Sequence, residues 1–414
     1  MPDRVIFHAD CNNFFASCEC LERPELKDGP MAVAGDPEDR LGVVVAKNEL
    51  AKKYGVKTTD TVYQARQKCP QIVFVPPRHR YYGQVSRRVN AIYTEYTEYV
   101  EPASIDESYL DMTQAAAFLG LSPRELADQL RDRVRTEIGI TISVGVSYCK
   151  IFAKMGSDYK KPDATTLITR ENYREMLWPL PVSDLLFAGR SAVRTLRRSG
   201  IETIGDLARR DPADLESLLG KHGALLWRYA NGIDDEPVRL FGDEREIKSV
   251  SRGRTFRRDL VTEQEVRTGL NVLVDEVART LRRHDLKGEV VFVQIRRPDM
   301  TSISRQVTLP RYTYLQHEIR RTALALVHDH WHIGEAQPIR ALTVGVSKLR
   351  PAGEVAEQLS LFDLGVGGPS RERERTERLE AAVEAVRRKH GDASITLGVQ
   401  DDPGIGVEPG SSRH

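Results

Sequence analysis

The sequence has few cysteines and no long hydrophobic run. Its 414 residues include five cysteines, no CxxC pair and no apolar stretch that approaches 18 residues. An odd cysteine count without metal-type spacing is typical of reduced thiols rather than of a disulfide framework. Because no apolar segment follows a basic amino terminus either, the sequence predicts neither a secretion signal nor a membrane span, and we expect a cytoplasmic protein.

The chain also lacks an excess of charge of either sign. Its 61 Lys and Arg residues nearly balance 60 Asp and Glu residues, which gives a net charge of +1 at pH 7. The overall charge therefore does not indicate a nucleic-acid partner, and any basic surface has to be local. A chain of this length is too long for one hydrophobic core, so we expect two to four domains.

Three carboxylates lie where strand-like patterns rarely place charge. Asp10 ends the apolar run 5–9, and Asp106 and Glu107 lie inside the strand-like run 100–112. An isolated Asp-Glu pair is most often a solvated turn. A further carboxylate at another strand end instead favours a site for hard divalent cations, which take oxygen ligands.

The order of predicted elements brings these carboxylates together. Residues 12–78 form an insertion, with predicted helices at 45–54 and 62–69. The remaining pattern has strands near 5–9, 100–112 and 140–146 and helices near 83–98 and 122–138. Because the run 100–112 turns near Asp106, the order is β-α-β-β-α-β, the split ferredoxin-like unit. Its first and third strands are antiparallel neighbours, so we expect Asp10 to meet Asp106 and Glu107.

Such a trio indicates two-metal phosphoryl-transfer chemistry. Two ions about 3.5–4 Å apart can stabilise both the attacking and the leaving oxygen of an in-line displacement. We expect Asp10 and Asp106 to bridge two Mg²⁺ ions and Glu107 to favour the ion near the nucleophile. The backbone carbonyl of Cys11 is a plausible further ligand, whereas its thiol suits Mg²⁺ poorly and is expected to pack.

Three segments together resemble the Y-family, translesion DNA polymerases, particularly bacterial members. They are residues 8–17 (HADCNNFFAS), 104–107 (SIDE) and 158–162 (DYKKP). The resemblance runs from about residue 4 to about residue 350. It implies template-directed, low-fidelity DNA synthesis from dNTPs on primer-template DNA, without a proofreading exonuclease. It also implies a monomer that acts in the bacterial cytoplasm, at the nucleoid.

The resemblance further implies an α+β multidomain chain folded like a right hand. Its parts would be a ferredoxin-like palm, small fingers, a helical thumb and an additional α/β little finger. The expected bounds are 1–11 and 79–168 for the palm, 12–78 for the fingers, 169–240 for the thumb, 245–350 for the little finger, and 351–414 for a linker, a clamp-binding peptide and a tail.

The nucleotide site also follows from the resemblance, residue by residue. Phe15 matches the aromatic steric gate that blocks a ribose 2′-OH, and Phe14 lines the same pocket. Without the resemblance, Phe15 would be interpreted as a core aromatic. Lys161 matches a lysine that contacts the incoming triphosphate, where a compact charge suits phosphate. Lys52 falls where many members carry an arginine that contacts the triphosphate.

Residues 46–49 depart from the family pattern. Ala46 replaces a usual hydroxyl residue, and Glu49 replaces a usual tyrosine. A glutamate that faced a triphosphate would repel it. Either Glu49 points away or Lys47 offsets its charge, and we hypothesise the latter. The departures leave open which bacterial branch of the family lies nearer. In the predicted thumb, a turn that is commonly Gly-x-Gly would offer backbone N–H groups to a DNA phosphate. Residues 187–189 keep only the last glycine, which leaves this phosphate contact open.

Residues 245–350 hold a local basic surface. They contain 20 Lys and Arg against 12 Asp and Glu, a net charge of +8. The pattern again predicts β-α-β-β-α-β, with strands near 248–256, 289–297, 302–309 and 339–347 and helices near 263–284 and 314–329. Charge runs are usually solvated faces, but one sheet face can present basic residues in one direction. We expect sequence-independent DNA contacts from Arg252, Arg254, Arg296 and Arg297.

The carboxyl-terminal region holds a short apolar motif and a charged helix. Gln358, Leu359, Leu361 and Phe362 match the peptide by which bacterial polymerases bind the sliding clamp (β subunit), a docking mode that uses a partner's groove. Local packing against the little finger is the alternative. The pattern of residues 370–390 predicts a charged helix with a narrow apolar stripe, formed by Leu379, Ala382, Val383 and Val386.

Two other functions compete with a polymerase. The chain could be a DNA-binding accessory protein with a degenerate active site, recruited to the clamp, although its intact carboxylates and Lys161 argue against this. It could also be a nucleotidyl cyclase with a ferredoxin-like two-metal site, which would leave the basic region and the clamp motif without a purpose. Primer dependence of dNTP consumption separates the three functions.

Overall fold

The computed structural model describes residues 3–35, 42–243, 246–332, 337–355, 369–391, 394–395 and 404–406. Contacts within it divide the chain into two compact units, the first extending to residue 243 and the second starting at residue 246. In these described ranges no helix is long and apolar enough to cross a membrane.

The first unit mixes strands and helices. Its strands are β1 (Ile6–Cys11), β2 (Met31–Ala34), β3 (Val44–Lys47), β4 (Val73–Val75), β5 (Val100–Pro102), β6 (Glu107–Asp111), β7 (Ile142–Ser147) and β8 (Thr165–Leu167). Its helices are α1 (Phe14–Glu22), α2 (Glu49–Lys53), α3 (Val62–Lys68), α4 (His79–Thr94), α5 (Thr113–Leu119), α6 (Pro123–Glu137), α7 (Lys150–Tyr159), α8 (Tyr173–Leu177), α9 (Arg190–Arg198), α10 (Ile204–Ala208), α11 (Pro212–Leu219) and α12 (Lys221–Ala230).

The central sheet has the predicted ferredoxin-like topology. Its strand order is β5-β6-β1-β7-β8, and β1 pairs antiparallel with both β6 and β7. Every residue of β1 is buried, because apolar side chains of α4 and α6 cover one face of the sheet and α7 packs on the other. Within this unit, residues 31–75 also form a second sheet of order β3-β2-β4. The bounds of palm, fingers and thumb remain predictions.

Two predicted elements of the first unit differ from the structure. Residues 45–54 form β3 and α2 instead of one helix, because the Asn48 side chain accepts the Ala51 N–H and starts α2 there. The run 100–112 forms two paired strands, β5 and β6, in agreement with the turn predicted near Asp106. The helix predicted at 83–98 lies at 79–94 as α4. The capping box of Ser122 and Glu125 starts α6 as predicted.

The second unit contains the six elements predicted for the basic region. Its strands are β9 (Ser249–Leu260), β10 (Leu286–Arg296), β11 (Ser302–Thr313) and β12 (Ile339–Pro351), and its helices are α13 (Glu263–Arg283), α14 (Gln316–His330) and α15 (Pro369–His390). The sheet order is β11-β10-β12-β9, so its first strand pairs with its last. Apolar side chains of α13 and α14 cover one face and form its core.

Helix α15 packs against this unit through charged side chains. Arg387 lies 3.0 Å from Asp275, and Glu384 lies 3.3 Å from Arg279. Glu380 pairs with Arg282 and accepts the backbone N–H of Gln316. The apolar stripe predicted for this helix is therefore not its packing face, and its Leu379 is 61% exposed.

Candidate active site

The strand register brings the three predicted carboxylates to one end of the central sheet. Asp10 on β1 is directly opposite Glu107 on β6. The Cys11 N–H donates to the backbone carbonyl of Asp106 over 3.0 Å, which fixes the chain just before β6. Asp10 is buried, whereas Asp106 and Glu107 are half-buried. The topology therefore assembles the carboxylates as the sequence predicted.

Two lysines lie among these carboxylates. The Nζ of Lys161 is 2.6 Å from Asp10 Oδ2 and 2.7 Å from Asp158 Oδ1. The Nζ of Lys154 is 3.2 Å from Asp10 Oδ2 and 2.9 Å from Glu107 Oε1. Each ammonium thus bridges at least two acidic side chains, and the repulsion between neighbouring carboxylates is offset.

The environment separates the pKa values of Asp10 and Glu107. Burial raises the pKa of Asp10 to about 6, although the charge of Lys161 opposes this shift. The pKa of Glu107 is held well below its usual range by the His8 imidazole, then by Asp10 and Lys154. Burial opposes charge on Lys154, but Asp10 and Glu107 outweigh it, so the pKa of Lys154 is raised. The site is built to hold cationic charge against ionised carboxylates.

Lys154 was not predicted from the sequence. It lies on α7, whose other inward-facing side chains are largely apolar. Gly145 on β7 lets α7 approach the sheet closely, since a Cβ there would lie 1.9 Å from the carbonyl oxygen of Ala153. A lysine within an otherwise apolar helix, next to the DYKKP segment, is the signal that could have identified it.

Buried polar residues position the loop that carries Lys161. Asn12 is 5% exposed. Its Nδ2 donates to Ser143 Oγ over 2.8 Å, and its Oδ1 accepts the Asp163 N–H over 2.8 Å. This side chain therefore ties the end of β1 to the loop after α7, and it too was missed from the sequence.

The residues present fit a hard divalent cation. In the described parts of the chain, no three His, Cys, Asp or Glu side chains already form a metal-binding group. Lys154 and Lys161 both donate to Asp10, and the Ser104 hydroxyl donates to Asp106 Oδ1 over 2.6 Å. The donors are nevertheless oxygens, as Mg²⁺ requires, and two ammonium groups already stand as cations among them. Burial raises the pKa of the Cys11 thiol, so it stays neutral as expected for packing.

The two predicted pocket aromatics differ in exposure. Phe14 is 3% exposed and belongs to the core beneath the sheet. Phe15 is half-buried, stacks on Tyr82 at 4.3 Å between ring centroids, and meets His79 edge-on. The structure therefore holds Phe15 rigidly with one side accessible, whereas Phe14 supports it from the core.

Glu49 has a different partner from the one hypothesised. The Lys52 ammonium lies 3.6 Å from Glu49, and the Asn13 amide donates to Glu49 Oε1 over 3.0 Å. Lys47 instead donates to the Thr58 hydroxyl over 3.3 Å. The direct counter-charge of Glu49 is therefore Lys52, the residue that was assigned to the triphosphate.

The four predicted DNA-contact arginines do not share one sheet face. Arg252 and Arg254 lie on the same face of β9 as the buried Val250 and Phe256, because residues two apart on a strand share a face. They therefore point to the helix side, where each lies 3.8 Å from Glu276 on α13.

Arg296 and Arg297 lie elsewhere. Arg296 is exposed and alternates with the buried Ile295, so it points away from the helices. Arg297 lies over the Trp331 ring at 5.4 Å.

Two further predictions concern the thumb and the clamp motif. In the turn 187–189, Phe187 adopts a left-handed conformation with φ 69° and is 58% exposed, and Gly189 precedes the first turn of α9. Residues 358–362, the predicted clamp-binding peptide, lie outside the described residues.

Comparison with known proteins decides the family. Residues 9–158 match the model of the impB/mucB/samB family, and residues 247–361 match the model of that family's C-terminal domain. A DNA polymerase IV from Acetivibrio thermocellus is 41% identical over 396 residues, which cover 96% of this chain and 97% of the relative. The chain belongs to the Y family of translesion DNA polymerases. The resemblance found in its sequence is thereby confirmed.

Other relatives of this Y-family polymerase agree. A DNA polymerase IV 1 from Bacillus subtilis is 34% identical over 398 residues, covering 95% of this chain and 92% of the relative. A solved Y-family DNA polymerase chimera of Dbh and Dpo4 superposes with a TM-score of 0.72 at 24% identity, covering 83% of this chain and 98% of the chimera. The named relatives are polymerase IV proteins, and the chimera supports the fold.

Proposed function

We propose that this Y-family polymerase adds dNMP to a primer 3′-OH under template direction by two-metal nucleotidyl transfer, with low fidelity and without proofreading. The observation that carries the proposal is the pairing of Asp10 with Glu107, with Asp106 beside them and two lysines bridging the acids. Asp10, Asp106, Glu107 and the Cys11 carbonyl would hold two Mg²⁺ ions. When bound, Mg²⁺ lowers the pKa of the attacking hydroxyl and stabilises charge on the leaving pyrophosphate.

The chain's own residues would do the positioning. Lys161, which pairs with Asp10 and Asp158 at 2.6 and 2.7 Å, would exchange these carboxylates for the triphosphate. A mobile ammonium on a loop suits this exchange, because it carries a compact charge and three donors. Phe15, fixed by Tyr82, would exclude a ribose 2′-OH by steric contact.

The second unit and the carboxyl-terminal motif would supply DNA and clamp binding. Arg296 presents its charge on the open side of the sheet, which suits contact with phosphates. Arg252 and Arg254 lie at the edge strand β9, and they would reach DNA only by leaving Glu276. The motif 358–362 would tether the enzyme to the sliding clamp and raise its effective concentration at the primer end.

Single-nucleotide incorporation on a templated hairpin tests the proposal. We expect the wild type to add the complementary dNMP opposite each template base, and to add mismatched dNMP at a detectable rate. We expect Phe15→Ala to increase ribonucleotide incorporation about a hundredfold or more, since steric exclusion of the 2′-OH is lost. Intact DNA binding without incorporation would instead support the accessory-protein function, and primer-independent dNTP consumption would support a cyclase.

A further inference from the structure

Lys154 is a half-buried ammonium among the active-site acids, and the proposed reaction gives it no step. Its side chain is 14% exposed, and its Nζ lies 3.2 Å from Asp10, 2.9 Å from Glu107 and 3.0 Å from Asp158. All three donors of the ammonium therefore have a carboxylate within reach.

Lys154 and Lys161 differ in how easily they can leave the acids. Lys161 is 30% exposed and lies in the loop after α7. Lys154 lies within α7, which packs closely on β7 because residue 145 is glycine. An incoming triphosphate could draw Lys161 away from Asp10, whereas Lys154 would stay beside Asp10 and Glu107.

A fixed ammonium at this position disfavours a free divalent cation. A Mg²⁺ ion that reached Asp10 and Glu107 would meet the positive charge of Lys154 within a few ångströms, and charges at such distances interact strongly in a partly buried site. Mg²⁺ also gives up its water ligands reluctantly. The negative charges of a nucleotide triphosphate would offset the ammonium and supply further oxygen ligands.

We propose that Lys154 is a positioning residue that makes metal binding at Asp10 and Glu107 depend on bound nucleotide. The inference rests on the proposed metal site. Lys154 neutralises the acids in the free enzyme, keeps them close together, and weakens metal binding until the triphosphate arrives. Because coupling between two ligands is reciprocal, the metal strengthens nucleotide binding by the same factor.

Titration with Mn²⁺, followed by electron paramagnetic resonance of the free ion, tests the proposal without turnover. In the absence of nucleotide, we expect Lys154→Met to bind Mn²⁺ about tenfold more tightly than the wild type, since an apolar side chain replaces the charge. A non-hydrolysable dNTP analogue should tighten Mn²⁺ binding strongly in the wild type and much less in Lys154→Met.

Two matched variants separate charge from structure. Lys154→Arg keeps the positive charge and should bind Mn²⁺ as weakly as the wild type. Lys160→Met removes an exposed lysine at the end of the same helix and should leave Mn²⁺ binding unchanged. If Lys154→Met does not fold, Lys154→Gln removes the charge with a polar side chain of similar length.

Equal Mn²⁺ affinity in wild type and Lys154→Met would overturn the proposal. Weaker binding in Lys154→Met would also overturn it, because Lys154 would then only hold the ligands in place. The double variant Asp10→Asn, Lys154→Met distinguishes failure of this proposal from failure of the proposed metal site itself. If it binds Mn²⁺ as tightly as Lys154→Met, the ion does not use Asp10 and the proposed catalytic site is wrong.

Discussion

Two lysines one turn apart on α7, the buried Lys150 and the half-buried Lys154, pair with carboxylates that differ in exposure. The Nζ of Lys150 lies 2.6 Å from Glu101 on β5, and both side chains are only 5% exposed. The guanidinium of Arg239 donates to the same carboxylate over 2.7 Å. One turn later, Lys154 bridges Asp10 and Glu107, and Glu107 is 27% exposed.

Glu101 and Asp10 differ in whether their cationic partners outweigh the effect of burial on the pKa. Burial would raise the pKa of Glu101, but hydrogen bonds from Arg239 and Lys150 outweigh it and lower the pKa to about 2. At Asp10 burial prevails, and the pKa is raised to about 6. The cluster around Glu101 is shielded from solvent, so its ion pairs stabilise the fold. The cluster around Asp10 and Glu107 is partly exposed, so its acids stay available for ligands. One helix therefore carries a structural cluster at its start and a reactive cluster one turn later.

Glu101→Gln should produce the largest effect on stability. The substitution leaves Lys150 and Arg239 without their carboxylate, and the pKa shift corresponds to about 3 kcal/mol of unfolding free energy at neutral pH. Urea unfolding measures this loss. Primer-extension rates per folded molecule should stay within about twofold of the wild type. The exposed Glu98→Gln is the matched control and should leave both quantities unchanged.

The stability difference between wild type and Glu101→Gln should also depend on pH. The folded-state pKa of Glu101 is about 2 and its ordinary value is 4.5. A lowered pKa means that the stabilisation is present above about pH 4.5 and is lost as the pH falls towards 2. The difference in unfolding free energy between wild type and Glu101→Gln should therefore be constant near neutrality and shrink below pH 4.5. A difference that grew in acid would contradict a structural role for the cluster.

Lys161→Ala should affect nucleotide binding and leave the fold nearly intact. Loss of a charged hydrogen bond to the triphosphate should raise the KM for dNTP by about tenfold or more. Stability should change little, because Lys161 is 30% exposed and Lys154 still neutralises Asp10. Steady-state extension at varied dNTP measures KM, and an unchanged KM would remove Lys161 from the nucleotide site.

Glu49→Gln should have the smallest effect. The substitution frees Lys52 from an exposed ion pair at 3.6 Å, and such pairs contribute little. We expect the KM for dNTP to fall by about twofold, since repulsion of the triphosphate is reduced and Lys52 becomes available. Lys47→Ala is the companion variant, and because Lys47 contacts Thr58 we expect it to change KM less than Lys52→Ala does.

Local patterns predicted the parts of the active site that depend on strand order. Asp10 and Glu107 could be paired from the sequence because alternation and capping signals define the β-α-β-β-α-β order, and that order makes the first and third strands neighbours. The six elements of the second unit followed from the same kind of pattern.

Side-chain partners across the chain could not be predicted in this way. Lys154 reaches the acids only because Gly145 permits a close approach of α7, and the direction of Arg252 depends on which face of β9 is covered by α13. Helix α15 shows the same limit. Its apolar residues suggested a packing stripe, but ion pairs to α13, such as Arg387 with Asp275, decide its orientation.

Primer extension on a templated hairpin with Mg²⁺ and all four dNTPs tests the division between the two clusters most directly. The variants are Asp106→Ala and Glu101→Gln, compared with the wild type at equal folded concentration. We predict that Asp106→Ala lowers extension by about a thousandfold or more, as loss of a metal ligand should, and that Glu101→Gln extends like the wild type. Full activity in folded Asp106→Ala would contradict the proposed catalytic site.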